Sequence, residues 1–138
     1  MLNLVALRVV ASTPEQLGAA VEEIVRQRSE AVVVMGDAMY FVEAARLQGL
    51  MQTTRLPAAY ELRDLAIAGG LLSYGYDVAV NYRNAAKYVD KILRGAKPKD
   101  VPVEQPTKFE LVFNLKTAKD LGLTIPKLVM ARADDLIQ

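Results

Sequence analysis

The feature that most constrains the fold is a continuous apolar run, AVVVM, at residues 31–35. It is far shorter than the ~18 residues that a membrane span needs. Short continuous runs of branched side chains are typical of strands buried on both faces, in parallel sheets covered by helices. Gly36 ends the run, and Asp37 is a good N-cap for a helix over about 38–53. Within that helix, Phe41 and Val42 are predicted to face the core.

Strand-like and helix-like segments alternate on both sides of this run. The predicted strands lie at 2–10, 31–35, 56–60 and 71–74, and the predicted longer helices at about 14–28, 38–53 and 77–94. A short helix or turn is predicted at 62–68, before Gly69 and Gly70. This alternation predicts an α/β fold with an open, mostly parallel sheet and flanking helices.

The last third of the chain differs in character. Residues 96–107 contain three prolines and mixed charge, which predicts an extended connector. Residues 108–114 alternate polar and apolar side chains, as in a strand with one solvated face. Asn114 is placed to cap a short helix, and Pro126 to open a final helix that runs to about Ile137. The sequence therefore divides into an α/β region at 1–95, a hinge-like connector at 96–107, and a return strand with C-terminal helices at 108–138.

Composition excludes several classes of function. The 138 residues include no Cys and no His, so a disulfide, a zinc–thiolate site and a histidine general base are absent. Phosphate-binding glycine loops and a G-x-S-x-G motif are also absent, and we expect neither catalysis nor a cofactor. The net charge of +1 gives no electrostatic reason to expect nucleic-acid binding. Lys87, Lys91 and Arg94 fit a solvated helix face better than a phosphate-binding track.

Candidate binding residues follow the predicted strands, because ligands of open α/β sheets bind beyond the carboxyl ends of strands. These residues are Asp37, Glu61, Arg63, Ser73, Tyr74 and Tyr76. Asp37 or Glu61 could pair with an ammonium group, Arg63 with a carboxylate, and the tyrosines could stack on a ligand or hydrogen-bond to it. Three of them have a simpler role as well: Asp37 as a helix cap, and Glu61 with Arg63 as a solvated turn.

Three stretches carry a family resemblance: GGLLSYG, AAKYVDKILRGAKPKDVPVEQP and TKFELVFNLKTAKDLGLTIP. They resemble the substrate-binding proteins of bacterial ABC importers, in the subgroup associated with aromatic or branched amino acids. The resemblance implies a type I periplasmic-binding-protein fold with two lobes, a small-molecule ligand such as an amino acid or aromatic acid held between them, and an ABC permease as partner. An alternative is the effector-binding domain of a two-lobed transcriptional regulator.

The resemblance covers only the C-terminal portion of such proteins, namely an incomplete second lobe that lacks one central strand–helix unit. It implies a periplasmic or lipid-anchored location, whereas this chain as written has no signal peptide and is expected to be cytoplasmic. The missing lobe would leave strand edges and the apolar tail without partners. We therefore expect a homo-oligomer, held through these edges and through tail side chains such as Leu111 and Phe113.

Overall fold

The computed structural model describes residues 3–138 and contains a mixed five-stranded sheet. Its strands are β1 (Val32–Val34), β2 (Ala58–Tyr60), β3 (Leu72–Tyr76), β4 (Phe109–Asn114) and β5 (Asp135–Ile137), in spatial order β1-β2-β3-β4-β5. The first three strands are parallel, β4 runs antiparallel to β3, and β5 is parallel to β4. The predicted α/β class with an open, mostly parallel sheet is confirmed.

Seven α-helices accompany these strands in the described residues, one before β1 and the others between strands. They are α1 (Gln16–Arg26), α2 (Ala38–Val42), α3 (Ala44–Thr54), α4 (Arg63–Ile67), α5 (Val78–Leu93), α6 (Leu115–Asp120) and α7 (Lys127–Met130). Aspartate or asparagine caps three of them: Asp37 accepts a hydrogen bond from the Met39 N–H, Asp77 from the Val80 N–H, and Asn114 from the Thr117 N–H.

The core lies on one face of the sheet. Leu17 and Val21 of α1 join Leu47 of α3 and Leu65 of α4 in one buried cluster. On the sheet, Ala58 and Tyr60 meet this cluster, and the intervening Ala59 points to the other face. The Tyr60 hydroxyl donates to Gln48 Oε1 at 3.1 Å inside the core, and burial raises the pKa of Tyr60.

The opposite face of the sheet is more open. Cross-strand pairing places Val33, Tyr74, Phe109 and Leu136 on this face, and all four are classed as exposed. Phe113 shares the face but is only 4% exposed. The core helices thus pack on one face of the sheet, and the other face carries several exposed apolar side chains.

Strands β3 and β4 pair in the sheet although residues 77–108 separate them in the chain. The chain leaves β3 at Tyr76, forms α5 and a short 3₁₀ turn at Pro98–Asp100, and returns at Phe109. Helix α5 has no buried residue along its sixteen positions. The helix and connector therefore form an excursion that adds nothing to the buried core.

The predicted strand at 2–10 is wrong over the residues described. Residues 3–10 form no strand, and Leu4 and Val5 are 79% and 86% exposed; Leu2 lies outside the described residues. A cavity of about 780 Å³ separates this segment from β1. Because no neighbouring strand satisfies its backbone groups, its strand propensity is not realised.

Two helix predictions also need correction. The helix expected over 38–53 divides at Glu43 into α2 and α3. Its break turns Phe41 and Val42 outward, to 52% and 78% exposed, rather than into the core. The final helix expected to reach Ile137 stops at Met130, and the chain then forms β5, whose pairing with β4 satisfies its backbone.

The C-terminal tail does not lack a partner in its own chain. Strand β4 pairs with β3 over five residue pairs, and Phe113 is buried. Asn114 Nδ2 also donates to the Ala66 carbonyl at 3.0 Å, which ties the tail to α4. The premise that the tail lacks a partner is therefore wrong, whereas the homo-oligomer itself stays a prediction.

Candidate functional site

The carboxyl ends of the three parallel strands meet around Glu61. Glu61 follows β2 directly, and its Oε2 accepts a hydrogen bond from the Gly36 N–H at 2.8 Å, beyond the end of β1. On its other side, a Cβ atom at Gly75 would come within 1.9 Å of the Glu61 carbonyl oxygen. Since only glycine permits that approach, the end of β3 lies directly against the backbone of Glu61. The sequence thus brings three chain segments to one point.

Gly36 shapes the same point. A Cβ atom there would lie 2.7 Å from Glu61 Oε2, so a side chain at position 36 would displace the carboxylate. Asp37 comes next, exposed and with an extended backbone, and its Oδ1 accepts from the Met39 N–H at 2.8 Å. Two carboxylates therefore follow adjacent strand ends, each held by one backbone N–H.

Asp37 also lies on the wall of the cavity beside β1. Arg8 and Tyr40 line the same cavity. The Tyr40 hydroxyl donates to the Ala11 carbonyl at 3.3 Å, which fixes the ring across the gap. The space next to Asp37 is thus bounded by one cationic, one anionic and one phenolic side chain.

Tyr74 and Tyr76 lie on the open face of the sheet. The Tyr74 ring stacks on Phe109 at a centroid distance of 5.7 Å and an interplanar angle of 26°. Tyr74 is 60% exposed and Phe109 is 46% exposed, so the pair presents an accessible aromatic surface. Tyr76 is half-buried and lies opposite Phe109 in the pairing of β3 with β4.

Arg63 is committed to partners within the chain. Its guanidinium bonds to the Asp135 carboxylate, and its Nη1 lies 3.8 Å from Glu110 Oε2. The hydrogen bond from Arg63 holds the pKa of Asp135 below its usual range. With these two carboxylates as partners, Arg63 ties α4 to β4 and β5 in this arrangement.

Ser73 lies inside the sheet. It is 1% exposed, and it pairs with Tyr60 on one side and Val112 on the other. The structure thus places the predicted residues in four positions: Asp37 and Glu61 at the strand ends, Tyr74 and Tyr76 on the open face, Arg63 in an ion pair with Asp135, and Ser73 buried in the sheet.

The sequence prediction missed Phe109, Gly36 and Gly75. Phe109 belongs to a strand that returns antiparallel after a long excursion, so its pairing with Tyr76 depends on tertiary structure alone. A weak sequence signal for the two glycines does exist. Gly36 follows an apolar strand and Gly75 interrupts one, and a glycine in such a position often marks a close approach of another backbone. Within residues 3–138, no group of three or more acidic side chains forms a metal site.

The helices of residues 3–138 include none that could cross a bilayer. A comparison with family models matches residues 2–137 to the family described as ABC transporter substrate binding protein. A comparison with curated proteins gives no match.

Solved structures give three similarities. A conserved domain protein from Vibrio cholerae superposes with a TM-score of 0.85 at 25% identity, over 91% of this chain and 42% of that one. An ABC domain in complex with L-Trp from Streptococcus pneumoniae gives 0.83 at 25% identity, over 92% and 44%. A ligand-free, open substrate-binding protein with adhesive properties from Clostridium difficile gives 0.61 at 16% identity, over 93% and 42%, which indicates the fold alone. The chain thus spans less than half the length of these proteins.

Proposed function

Since the chain belongs to the ABC transporter substrate-binding protein family, we propose that it provides one lobe of a solute-binding component of an ABC-type importer. In this proposal the ligand is a small molecule such as an amino acid or aromatic acid, bound in a cleft between two lobes. The role is binding without catalysis, and the partner of the ligand-loaded protein is an ABC permease. The place of action is outside the cytoplasm.

The observation that carries this proposal is the convergence of the strand ends on Glu61. Open α/β sheets bind ligands at this edge because backbone and side-chain groups from several strands meet there. The carboxylates of Glu61 and Asp37 suit an ammonium group, since charge-assisted hydrogen bonds are among the strongest available to a small polar ligand. The exposed Tyr74–Phe109 pair suits an apolar or aromatic ligand moiety.

The excursion between β3 and β4 supports a two-lobed parent architecture. A chain that leaves the sheet after one strand and returns as the adjacent antiparallel strand can cross to a second lobe in between. Such a crossing leaves the order of the strands unchanged. In this proposal residues 1–95 and 108–138 contribute to one lobe, and residues 96–107 act as a hinge connector. The similar structures support this, because the matched region is less than half of each chain and the remainder is long enough for a second lobe.

The proposed mechanism is closure of two lobes around the ligand, followed by docking on the permease and release on opening. One lobe alone offers one wall of the cleft, whereas complete pockets bury 70–90% of a ligand. The isolated chain should therefore bind weakly, with a Kd of roughly 1 mM or more. Arg63 is paired with Asp135 in this arrangement, so binding of a ligand carboxylate by Arg63 would require it to exchange that partner.

An NMR titration of the ¹⁵N-labelled chain with L-tryptophan, L-leucine and benzoate tests the proposal. Saturable shifts at Gly36, Glu61 and Gly75 are expected at ligand concentrations up to about 20 mM. Glu61→Gln should weaken binding of the two amino acids at least threefold, whereas Glu22→Gln on the outer side of α1 is the matched control and should leave it unchanged. Shifts confined to other surfaces, or micromolar binding by the lone chain, would contradict the one-wall site.

A further inference from the structure

Gln48 of α3 is a polar side chain buried in the core. It is 2% exposed, and its Oε1 accepts a hydrogen bond from the Tyr60 hydroxyl at 3.1 Å. Its Nε2 is also buried and has no hydrogen-bond partner among residues 3–138. A buried amide group without a partner costs free energy, so native proteins pair almost all such groups with protein atoms or with ordered water. The Gln48 amide therefore needs a further acceptor.

Tyr60 fixes the position of this amide. Tyr60 is 2% exposed, and a Cβ atom at Gly70 would lie 2.4 Å from its Cε2, so the ring packs directly against Gly70. The hydroxyl is thus held beside Gln48. Reversing the amide would turn Nε2 towards the hydroxyl and leave Oε1 unpaired instead, since an amide has donors on one side and an acceptor on the other. In either orientation one buried atom of Gln48 needs a partner.

A small cavity beside Gln48 has room for that partner. It has a volume of about 30 Å³ and lies between α3, α6 and the amino-terminal ends of β2 and β3. A cavity of roughly 10–15 Å³ is enough to hold one water molecule. Pockets for organic ligands are far larger, at about 300–1,000 Å³. The cavity therefore fits a ligand of the size of water.

The groups that line the cavity determine what it can bind. None of the lining residues, all of which lie within 3–138, is charged, and the polar side chains among them are Gln48, Gln52, Tyr60 and Thr117. An ion would lose its hydration there without meeting an opposite charge, at a large cost in free energy. Water is neutral and both accepts and donates hydrogen bonds, so it suits this lining.

Thr117 of α6 offers the second contact for such a water molecule. Its hydroxyl donates to the Gly69 carbonyl at 3.0 Å, which leaves the lone pairs of the hydroxyl oxygen available to accept. Gln48 and Thr117 line the same cavity. Because the cavity is of the size of water, a single molecule can contact both side chains.

We propose that one buried water molecule accepts a hydrogen bond from Gln48 Nε2 and donates one to Thr117 Oγ1. This water joins α3 to α6 and so ties the C-terminal segment to the core. It lies at the amino-terminal ends of β2 and β3, whereas Glu61 follows the carboxyl-terminal end of β2. The water site is therefore independent of the proposed solute-binding role.

A high-resolution crystal structure of the chain tests the position directly. One ordered water molecule is expected within about 3.2 Å of both Gln48 Nε2 and Thr117 Oγ1. A direct hydrogen bond from Gln48 Nε2 to a protein acceptor would overturn the proposal. A cavity closed by repacking of Met51 or Leu121 would overturn it as well.

Cross-relaxation between water and the Gln48 side-chain amide in the ¹⁵N-labelled chain tests the bridge in solution. Thr117→Val removes the acceptor at nearly constant shape and should reduce the cross-peak at least threefold, whereas Thr117→Ser keeps the hydroxyl and should retain it. Thr53→Val makes the same change at an exposed position of α3 and is the matched control.

Tyr60→Phe identifies the source of this cross-peak, because hydroxyl protons also exchange with water. The cross-peak should persist in Tyr60→Phe. Its disappearance there would assign it to the Tyr60 hydroxyl and overturn the proposal. An undiminished cross-peak in Thr117→Val would overturn the bridge to α6.

Discussion

Helices α1 and α5 carry similar apolar stripes, but the stripe of α1 is buried and that of α5 is exposed. Leu17 and Val21 of α1 are 2% and 6% exposed, because α3 and the sheet lie across from them. Tyr82 and Val89 of α5 also lie on one helical stripe, and they remain mostly exposed. Periodicity thus determines that a helix forms and which face is apolar, whereas burial depends on what the rest of the chain places opposite.

The strands show the same contrast. Residues 3–10 and residues 58–60 are both apolar, yet only the latter form a strand, since β1 and β3 pair with them on both sides. A strand needs a neighbour for its backbone hydrogen bonds, which local sequence does not supply. On the core face, the segments whose sequence favours a strand or an amphipathic helix also have other elements to pack against.

The largest expected difference in the free energy of unfolding is between truncation of a buried leucine in the core and truncation of an exposed leucine in α5. Leu65 of α4 is 0% exposed and Leu93 of α5 is 82% exposed. Leu65→Ala should lower the free energy of unfolding by about 2–5 kcal/mol through lost burial and a cavity. Leu93→Ala should change it by less than about 0.5 kcal/mol in dilute monomer. Urea unfolding of both variants measures the difference, and equal losses would mean that α5 belongs to the cooperative core.

Glycine substitutions give the next largest difference. Gly75→Ala drives a Cβ to within 1.9 Å of the Glu61 carbonyl oxygen, and backbone must move to relieve it, at a cost of about 1–3 kcal/mol or more. Gly49→Ala in α3 meets open space, with no atom within 4 Å, and should stabilise by about 0.5–1 kcal/mol. Thermal unfolding should therefore move in opposite directions for the two variants. A neutral Gly75→Ala would show that the end of β3 is not held against Glu61.

The success and failure of the sequence prediction follow from the same physics. The strands β1, β2 and β3 were predicted correctly because their apolar runs, each ended by a glycine or an acidic residue, also find neighbours in the sheet. The β5 strand was not, since residues 135–137 become a strand only through their partner β4. At the candidate site, Asp37 and Glu61 were predicted from position alone. The commitment of Arg63 to Asp135 and the burial of Ser73 depended on long-range packing.

Two helix caps provide a smaller contrast. Asn114 is buried, caps α6 and also donates to the Ala66 carbonyl, so Asn114→Ala leaves buried backbone groups unpaired at a cost of about 1–3 kcal/mol. Asp77 caps the exposed α5 through the Val80 N–H. Asp77→Ala should speed amide exchange over residues 78–81 and barely change global unfolding. Hydrogen exchange combined with urea unfolding separates the two effects; global destabilisation by Asp77→Ala would argue that α5 supports the sheet.

The smallest expected effect concerns the ion pair between Arg63 and Asp135. The pKa of Asp135 is lowered, first by the hydrogen bond from Arg63 and then by that from the Leu136 N–H. A group whose pKa is lower in the folded state stabilises the fold above its unfolded-state pKa, and this contribution is lost as pH falls through the folded-state value. The stability contributed by Asp135 should therefore be complete at neutral pH and fade only under acidic conditions.

Removing the guanidinium tests this directly. In Arg63→Gln the carboxyl ¹³C titration midpoint of Asp135 should rise towards its ordinary value, with the residual lowering due to the Leu136 N–H. Because the pair is solvent-exposed, the stability change should be slight and should shrink further in high salt. Arg94→Gln, which removes a pair with Asp90 from the outer side of α5, is the matched control and should leave the Asp135 midpoint in place. An Asp135 midpoint that does not move in Arg63→Gln would mean that Arg63 is not paired with Asp135 in solution and is directly available to a ligand carboxylate.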